Sequence, residues 1–325
     1  MCHTDFVGTS FNRAVCNAVG IIWGDLMGAK FNLLRKVIGY KTTESWLTIP
    51  HITFIYEADA TEVLAELSRL NENNQGLKLT INTLLLKICT EAIKAAPQVN
   101  AHIKYNSKRV TGEIEIIKNI DISMPWVLEN NEIVVINLRN FEDKTLVEMQ
   151  KCINKIAYKM RNCNIHIPLY QVSANTLMEE MKKGHLLRAS HAFLGVVIDK
   201  SKPSKKDIKE YEKIPLNDKI ISSDLQPGTV TISNLGSVCR GLNGFMGVLE
   251  IVPPQVFAIG IGSVQEKPCV IKNENNENSI AIRKVIPLCL GFDHRALNFG
   301  EIVPFIQKME YIFKHSELLG EWYSK

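Results

Sequence analysis

From residue 47 onward the chain alternates between two hydrophobic periods. L-T-I-P-H-I-T-F-I-Y-E-A (47–58) has a period of two and places Ile52, Phe54 and Tyr56 on one face of a strand. Asp59, with Glu62 three residues on, resembles a capping box. Val63, Leu64, Leu67 and Leu70 then recur at helical spacing. The polar run N-E-N-N-Q-G (71–76) predicts a loop, and the apolar run 80–96 predicts a helix stopped by Pro97. Strands are predicted at 113–117, 120–124 and 132–138. Thr145 and Glu148 then form a second capping box, followed by a stripe of Leu146, Met149, Ile153, Ile156 and Met160.

The pattern changes at 162–226. An apolar and amphipathic segment runs from H-I-P-L-Y to H-A-F-L-G-V-V-I-D, and a lysine-rich stretch follows that reads as a solvated face or loop. This region is read as an insertion. Strands return with G-T-V-T-I-S-N-L-G (228–236) and V-F-A-I-G-I-G-S (256–263). N-E-N-N-E-N (273–278) reads as a hairpin tip, and I-A-I-R-K-V-I-P-L-C-L-G-F (280–292) as a long strand. A final helix from about Glu301 carries Phe305, Ile306, Met309, Ile312 and Phe313. Interleaved strands and helices with hairpins predict an α/β fold, a mixed sheet with helices packed on one side. Residues 1–35 read as an N-terminal arm with a glycine-broken helical pair, and 36–325 as the main domain. No internal repeat is evident.

Composition narrows the function classes. The 325 residues are 46% hydrophobic and 22% charged, the balance of a globular protein. A net charge of +4, with acids and bases intermixed, argues against nucleic-acid binding. The eight cysteines form no C-x-x-C pair and no zinc spacing, so reduced thiols, no metal and a cytoplasmic location are expected. The apolar piece 18–23 is too short to span a bilayer, and no membrane partner is expected.

The candidate chemistry is in G-F-D-H-R-A-L-N-F-G-E (291–301). His294 follows an apolar strand that can hold it rigidly. Asp293 and Arg295 flank it with opposite charges that can anchor the turn, and Asn298 lies one helical turn on.

D-H-R-A-L-N resembles the D-H-R-x-x-(D/N)-G motif of the acyltransferase component of 2-oxo acid dehydrogenase complexes. Chloramphenicol acetyltransferase and peptide-synthetase condensation domains share its histidine. Residues 228–236 are similar to that family's G-T-F-T-I-S-N-L-G. Residues 251–268 and 48–61 resemble two further segments, all in the family's order over roughly 36–160 and 226–318. The resemblance implies a chloramphenicol acetyltransferase-like two-layer sandwich assembled as a homotrimer. It implies that His294 is the general base for a thiol, that Ser233 donates to the oxyanion, and that Asn298 occupies the Asp/Asn position. Asp293 and Arg295 would support the site. Coenzyme A would enter as acyl-coenzyme A, with a dihydrolipoyl-like thiol, an amine or a hydroxyl as acceptor, and a lipoyl or carrier protein as a possible source of that acceptor. Ser233 and His294 would act in trans across a subunit boundary. His51 matches a histidine of the family's first strand and is read as structural or channel-lining.

Three departures accompany the match. Phe299 stands where the family has glycine. The 162–226 insertion is longer than the family's usual link. No lipoyl or subunit-binding domain is recognised, and none of the Asp-Lys pairs 143–144, 199–200 and 218–219 lies at a hairpin tip as lipoylation would need. The end, E-W-Y-S-K, lacks an apolar anchor. A stand-alone, freely trimeric acyltransferase is therefore expected. The alternatives are a non-catalytic trimeric scaffold on the same fold and a complex core served by a separate lipoyl protein.

Overall fold

The long apolar strand predicted at 280–292 forms the spine of the sheet. A computed structural model describes residues 31–73, 76–128, 131–182, 203–239 and 241–324. In chain order the elements are α1 (Leu33–Thr48), β1 (His51–Asp59), α2 (Thr61–Asn73), α3 (Ile81–Ala95), β2 (Ala101–Asn106), β3 (Thr111–Ile116), β4 (Ile122–Val127), β5 (Ile133–Leu138), α4 (Leu146–Asn162), α5 (His166–Lys182) and α6 (Lys205–Lys213). They continue with β6 (Val230–Asn234), β7 (Phe257–Ile261), β8 (Gln265–Lys272), β9 (Asn278–Asp293), α7 (Phe299–Lys314) and α8 (Leu318–Glu321).

Six strands run in the order β1-β9-β7-β6-β4-β5, and β8 pairs with the outer half of β9. β4, β6 and β7 are mutually parallel and the remaining pairs antiparallel, so the sheet is mixed. Strand alternation sends Ile286, Leu288, Leu290 and Phe292 of β9, with Val230 and Ile232 of β6, into one core beneath α2, α3, α4 and α7. α3 is buried along almost its whole length, which explains its unbroken apolar sequence. On the opposite face the segment around Met246–Ile251 covers β7 and β9, with Ile251, Ala258 and Ile49 in a small second cluster.

The capping box at Thr145 and Glu148 forms as predicted, and the stripe behind it is buried through Ile156. At the start of α2 the outcome differs. Asp59 accepts from the Thr61 N–H and hydroxyl, but Glu62 turns to Arg283 of β9 instead of back to the chain. β2 was not anticipated, because only Ala101 and Ile103 of A-H-I-K-Y-N are buried. β4 runs three residues past its predicted end through Pro125. The β6 pairing stops at Ser123, so the N–H that proline lacks would have faced no partner strand. The lysine-rich stretch contains α6, whose buried residue, Tyr211, donates its hydroxyl to the Ile220 carbonyl. α1 runs through the expected 35/36 boundary. The helical pair expected before it, and much of the apolar segment leading to residue 199, lie outside the described residues.

The glycines bounding 228–236 have a steric origin. A Cβ at Gly228 would sit 2.2 Å from the Asp121 carbonyl oxygen, and one at Gly236 2.4 Å from that of Gly262. Both ends of β6 are thus pinned by close backbone contact, which fixes where Ser233 points.

Candidate active site

His294 follows β9 directly, and its N–H donates to the Pro50 carbonyl at 3.1 Å, extending the β1–β9 ladder by one residue. The side chain is exposed. Its Nδ1 lies 3.0 Å from the Leu297 carbonyl oxygen. A carbonyl only accepts, so the neutral ring carries its proton on Nδ1 and leaves the Nε2 lone pair free for a proton. Among the described residues Nε2 has no hydrogen-bond partner.

Asp293 holds this turn. It is fully buried, and Arg295 meets it through Nε at 3.0 Å and Nη2 at 2.6 Å. The Asp293 carboxylate also accepts from the Arg295 N–H, and its carbonyl accepts from Ala296 and Leu297. The Arg295 guanidinium lies 5.0 Å from the centre of the Tyr105 ring on β2, a support with no signal in the sequence. Asp293→Ala leaves the guanidinium and the Arg295 N–H without their buried carboxylate acceptor, while the Asp293 carbonyl still accepts from Ala296 and Leu297. The expected cost is about 3 kcal/mol in urea unfolding, and a loss below about 1 kcal/mol would show that the turn does not depend on this pair.

Asn298 is the exposed N-cap residue of α7, its N–H donating to Glu301 at 2.7 Å. It follows Leu297, whose carbonyl faces His294 Nδ1. Phe299 opens the helix two residues before the predicted start; it is exposed and set edge-on against Phe54 at 5.2 Å. His51 is a structural residue. Its Nδ1 donates to Ile49 and its Nε2 accepts from the Ile251 N–H, tying α1 to the segment over β7.

Ser233 lies elsewhere. It is 9% exposed on β6, facing away from the helices, and among the described residues its hydroxyl has no partner. Ser233 is also among the residues bordering a cleft of about 1050 Å³, whose other walls, including Thr80, Asn82, Met124, Trp126 and Ile153, lie on the helix side of the sheet. Asn234 beside it donates to Asn82 at 2.9 Å. Behind it, buried Gln255 receives the Thr231 hydroxyl at 2.6 Å and donates to the Gly228 carbonyl at 2.8 Å, fixing the base of the strand. Neither Asn82 nor Gln255 was marked by the sequence pattern.

Strand register gives the distance between the two candidates. Ser233 is level with Gly260, and Gly260 with Cys289. His294 is five residues further along and two strands across, on the order of 19 Å away. A base and an oxyanion donor acting on one carbonyl must each lie within about 3 Å of the reacting atoms. Within one chain the two candidate residues therefore lie too far apart to act on one carbonyl.

Burial raises the Cys89 thiol to about 12 and also raises that of Cys289, so neither is poised as a nucleophile. Among the described residues no three His, Cys, Asp or Glu side chains come together to hold a metal ion, and no helix is long and apolar enough to cross a membrane.

The chain matches the family described as 2-oxoacid dehydrogenases acyltransferase (catalytic domain) over residues 27–177 and 203–320. It is 26% identical over 281 residues to the dihydrolipoyllysine-residue acetyltransferase component of the Corynebacterium glutamicum pyruvate dehydrogenase complex, covering 85% of this chain and 32% of that protein. It is 24% identical to the lipoamide acyltransferase component of the Bacillus subtilis branched-chain alpha-keto acid dehydrogenase complex, covering 82% and 47%. The chain thus spans about a third to a half of the length of these relatives. The fold is similar to that of a probable dihydrolipoamide acetyltransferase from Listeria monocytogenes, with a TM-score of 0.60 at 21% identity over 92% of this chain and 95% of that one. It is also similar to an Azotobacter vinelandii dihydrolipoamide acetyltransferase, studied for the role of a serine, a histidine and an asparagine in its catalytic mechanism. Here the TM-score is 0.59 at 18% identity, over 98% and 99% of the two chains. The expected two-layer fold is borne out by these likenesses.

Proposed function

Since the chain belongs to the 2-oxoacid dehydrogenases acyltransferase (catalytic domain) family, we propose that it moves an acyl group between coenzyme A and a dihydrolipoyl-like thiol. The observation that carries this reading is the His294 ring, whose Nδ1 is committed to Leu297 and whose Nε2 is open. A free thiol titrates near ~8.5 and is mostly protonated at neutral pH, so it needs a base to attack. His294 Nε2 takes the thiol proton as the sulfur bonds to the thioester carbonyl carbon. The carbonyl oxygen becomes an oxyanion, and the unpartnered Ser233 hydroxyl donates to it. Collapse restores the carbonyl, breaks the bond to the departing sulfur, and returns the proton from His294 to that thiolate.

The roughly 19 Å between Ser233 and His294 supports assembly of the site from two copies, as in a homotrimer whose chains each supply both half-sites. The Azotobacter vinelandii protein's serine, histidine and asparagine support carrying the three roles to Ser233, His294 and Asn298. The dehydrogenase-complex names of the relatives favour a second reading, in which the acyl group arrives on a lipoyl domain of another chain.

Release of free coenzyme A tests the proposal. The protein is incubated with acetyl-, isobutyryl- and octanoyl-coenzyme A and dihydrolipoamide. Acceptor-dependent thiol release supports the assignment, and release indistinguishable from the protein-free rate with every pair would sink it. Acylation of dihydrolipoamide but not of a lipoyl domain would remove the second reading.

A further inference from the structure

Resting on the acyl-transfer reading, we propose that Phe299, braced by Phe54, forms the end wall of the acyl site and sets the largest acyl group transferred. The rings are part of one apolar patch that reaches the base. The His294 ring meets Phe292 edge-on at 6.0 Å, and Phe292 pairs across the β1–β9 ladder with Ile52. Phe54 lies two residues along β1 on the same face as Ile52, and Phe299 rests on Phe54. Phe292 is buried, but Ile52 and Phe299 are 40% and 43% exposed in the single chain, so the outer part of this patch is open to solvent.

The substituents of the reacting carbonyl have different needs. Its oxygen goes to a hydroxyl. The entering and leaving sulfurs both carry long arms that must run out to solvent. Only the acyl tail ends within the site, so only the tail needs a wall. A rigid edge-to-face aromatic pair bounds space well, because neither ring can turn without losing its partner. Glycine in the same place, as in the motif that D-H-R-A-L-N-F resembles, would leave this volume empty. Acetyl is expected to fit against the wall, whereas a branched acyl group such as 3-methylbutanoyl overlaps Phe299.

The test compares kcat/KM for acetyl- and 3-methylbutanoyl-coenzyme A in the wild type, Phe299→Ala and Phe299→Leu, with dihydrolipoamide fixed as acceptor. Phe299 is exposed at the first turn of its helix, so these variants should fold. Removing methylene-sized obstacles from an apolar site changes discrimination by ~10–200-fold. The branched-to-acetyl ratio should rise at least tenfold in Phe299→Ala, with Phe299→Leu in between. Calorimetric binding of the two esters should shift in the same direction. A ratio unchanged in both variants of an active enzyme would overturn the wall while leaving acyl transfer standing. So would a change that follows the thiol acceptor when the acyl group is held constant. A wild type inactive with every ester would overturn both.

Discussion

His294→Ala is expected to lower acyl transfer by about 10²–10⁴-fold, the usual contribution of a positioned general base. The fold should survive the change. The side chain is exposed, and among the described residues its one side-chain hydrogen bond is to the carbonyl of Leu297, which water can replace. The turn itself is held by Asp293 and Arg295, which the substitution leaves alone. Initial rates of coenzyme A release, with circular dichroism and size-exclusion elution as controls, make the check. Undiminished turnover would remove His294 from the mechanism. His294→Gln separates position from chemistry. Its amide can occupy part of the ring's place but cannot take a proton, so it should be as slow as alanine.

The second large effect concerns where the site is assembled. Ser233→Ala removes the proposed oxyanion donor and is expected to cost about 10²–10³-fold in kcat. Co-expressing Ser233→Ala and His294→Ala chains in equal amounts should then recover activity that neither has alone. A functional site needs its histidine from a Ser233→Ala chain and its serine from a His294→Ala neighbour. Random assembly in a ring places that pair at about a quarter of the interfaces, so about a quarter of wild-type activity is expected. If both residues served one site within a chain, every site would carry a lesion and the mixture would stay inactive. Mass spectrometry of the mixed oligomers confirms that the chains have exchanged. The roughly 19 Å between the residues leads to the first outcome, because no side-chain rotation spans five residues of strand and two strand spacings.

The elements best read from the sequence are those whose own periodicity is complete. The α2 stripe of Val63, Leu64, Leu67 and Leu70 is buried as read, and the Thr145–Glu148 box closes α4. Each is decided within one or two helical turns, where neighbouring residues already hold the information. Elements held by distant partners were harder. β2 has only two buried residues and owes its form to pairing with β3. Glu62 looked like the closing member of a cap but is drawn to Arg283, more than 200 residues away. Tyr105, Asn82 and Gln255 support the site through contacts to which local pattern gives no clue.

The site divides in the same way. Sequence alone determined which side chains carry the candidate chemistry. His294, Asn298 and the Asp293–Arg295 pair lie within six consecutive residues, and a short turn brings them together by chain connectivity. The tertiary structure decided what those groups can do. It buried Asp293, tied His294 Nδ1 to Leu297 so that Nε2 is the nitrogen left open, and left the Ser233 hydroxyl without a partner among the described residues. It also set Ser233 and His294 at different ends of the sheet. That separation follows from the register of β6 on β7 and of β7 on β9, and register arises from packing whole strand faces against a shared core. No run of residues contains that information, because it exists only once strands distant in sequence have paired.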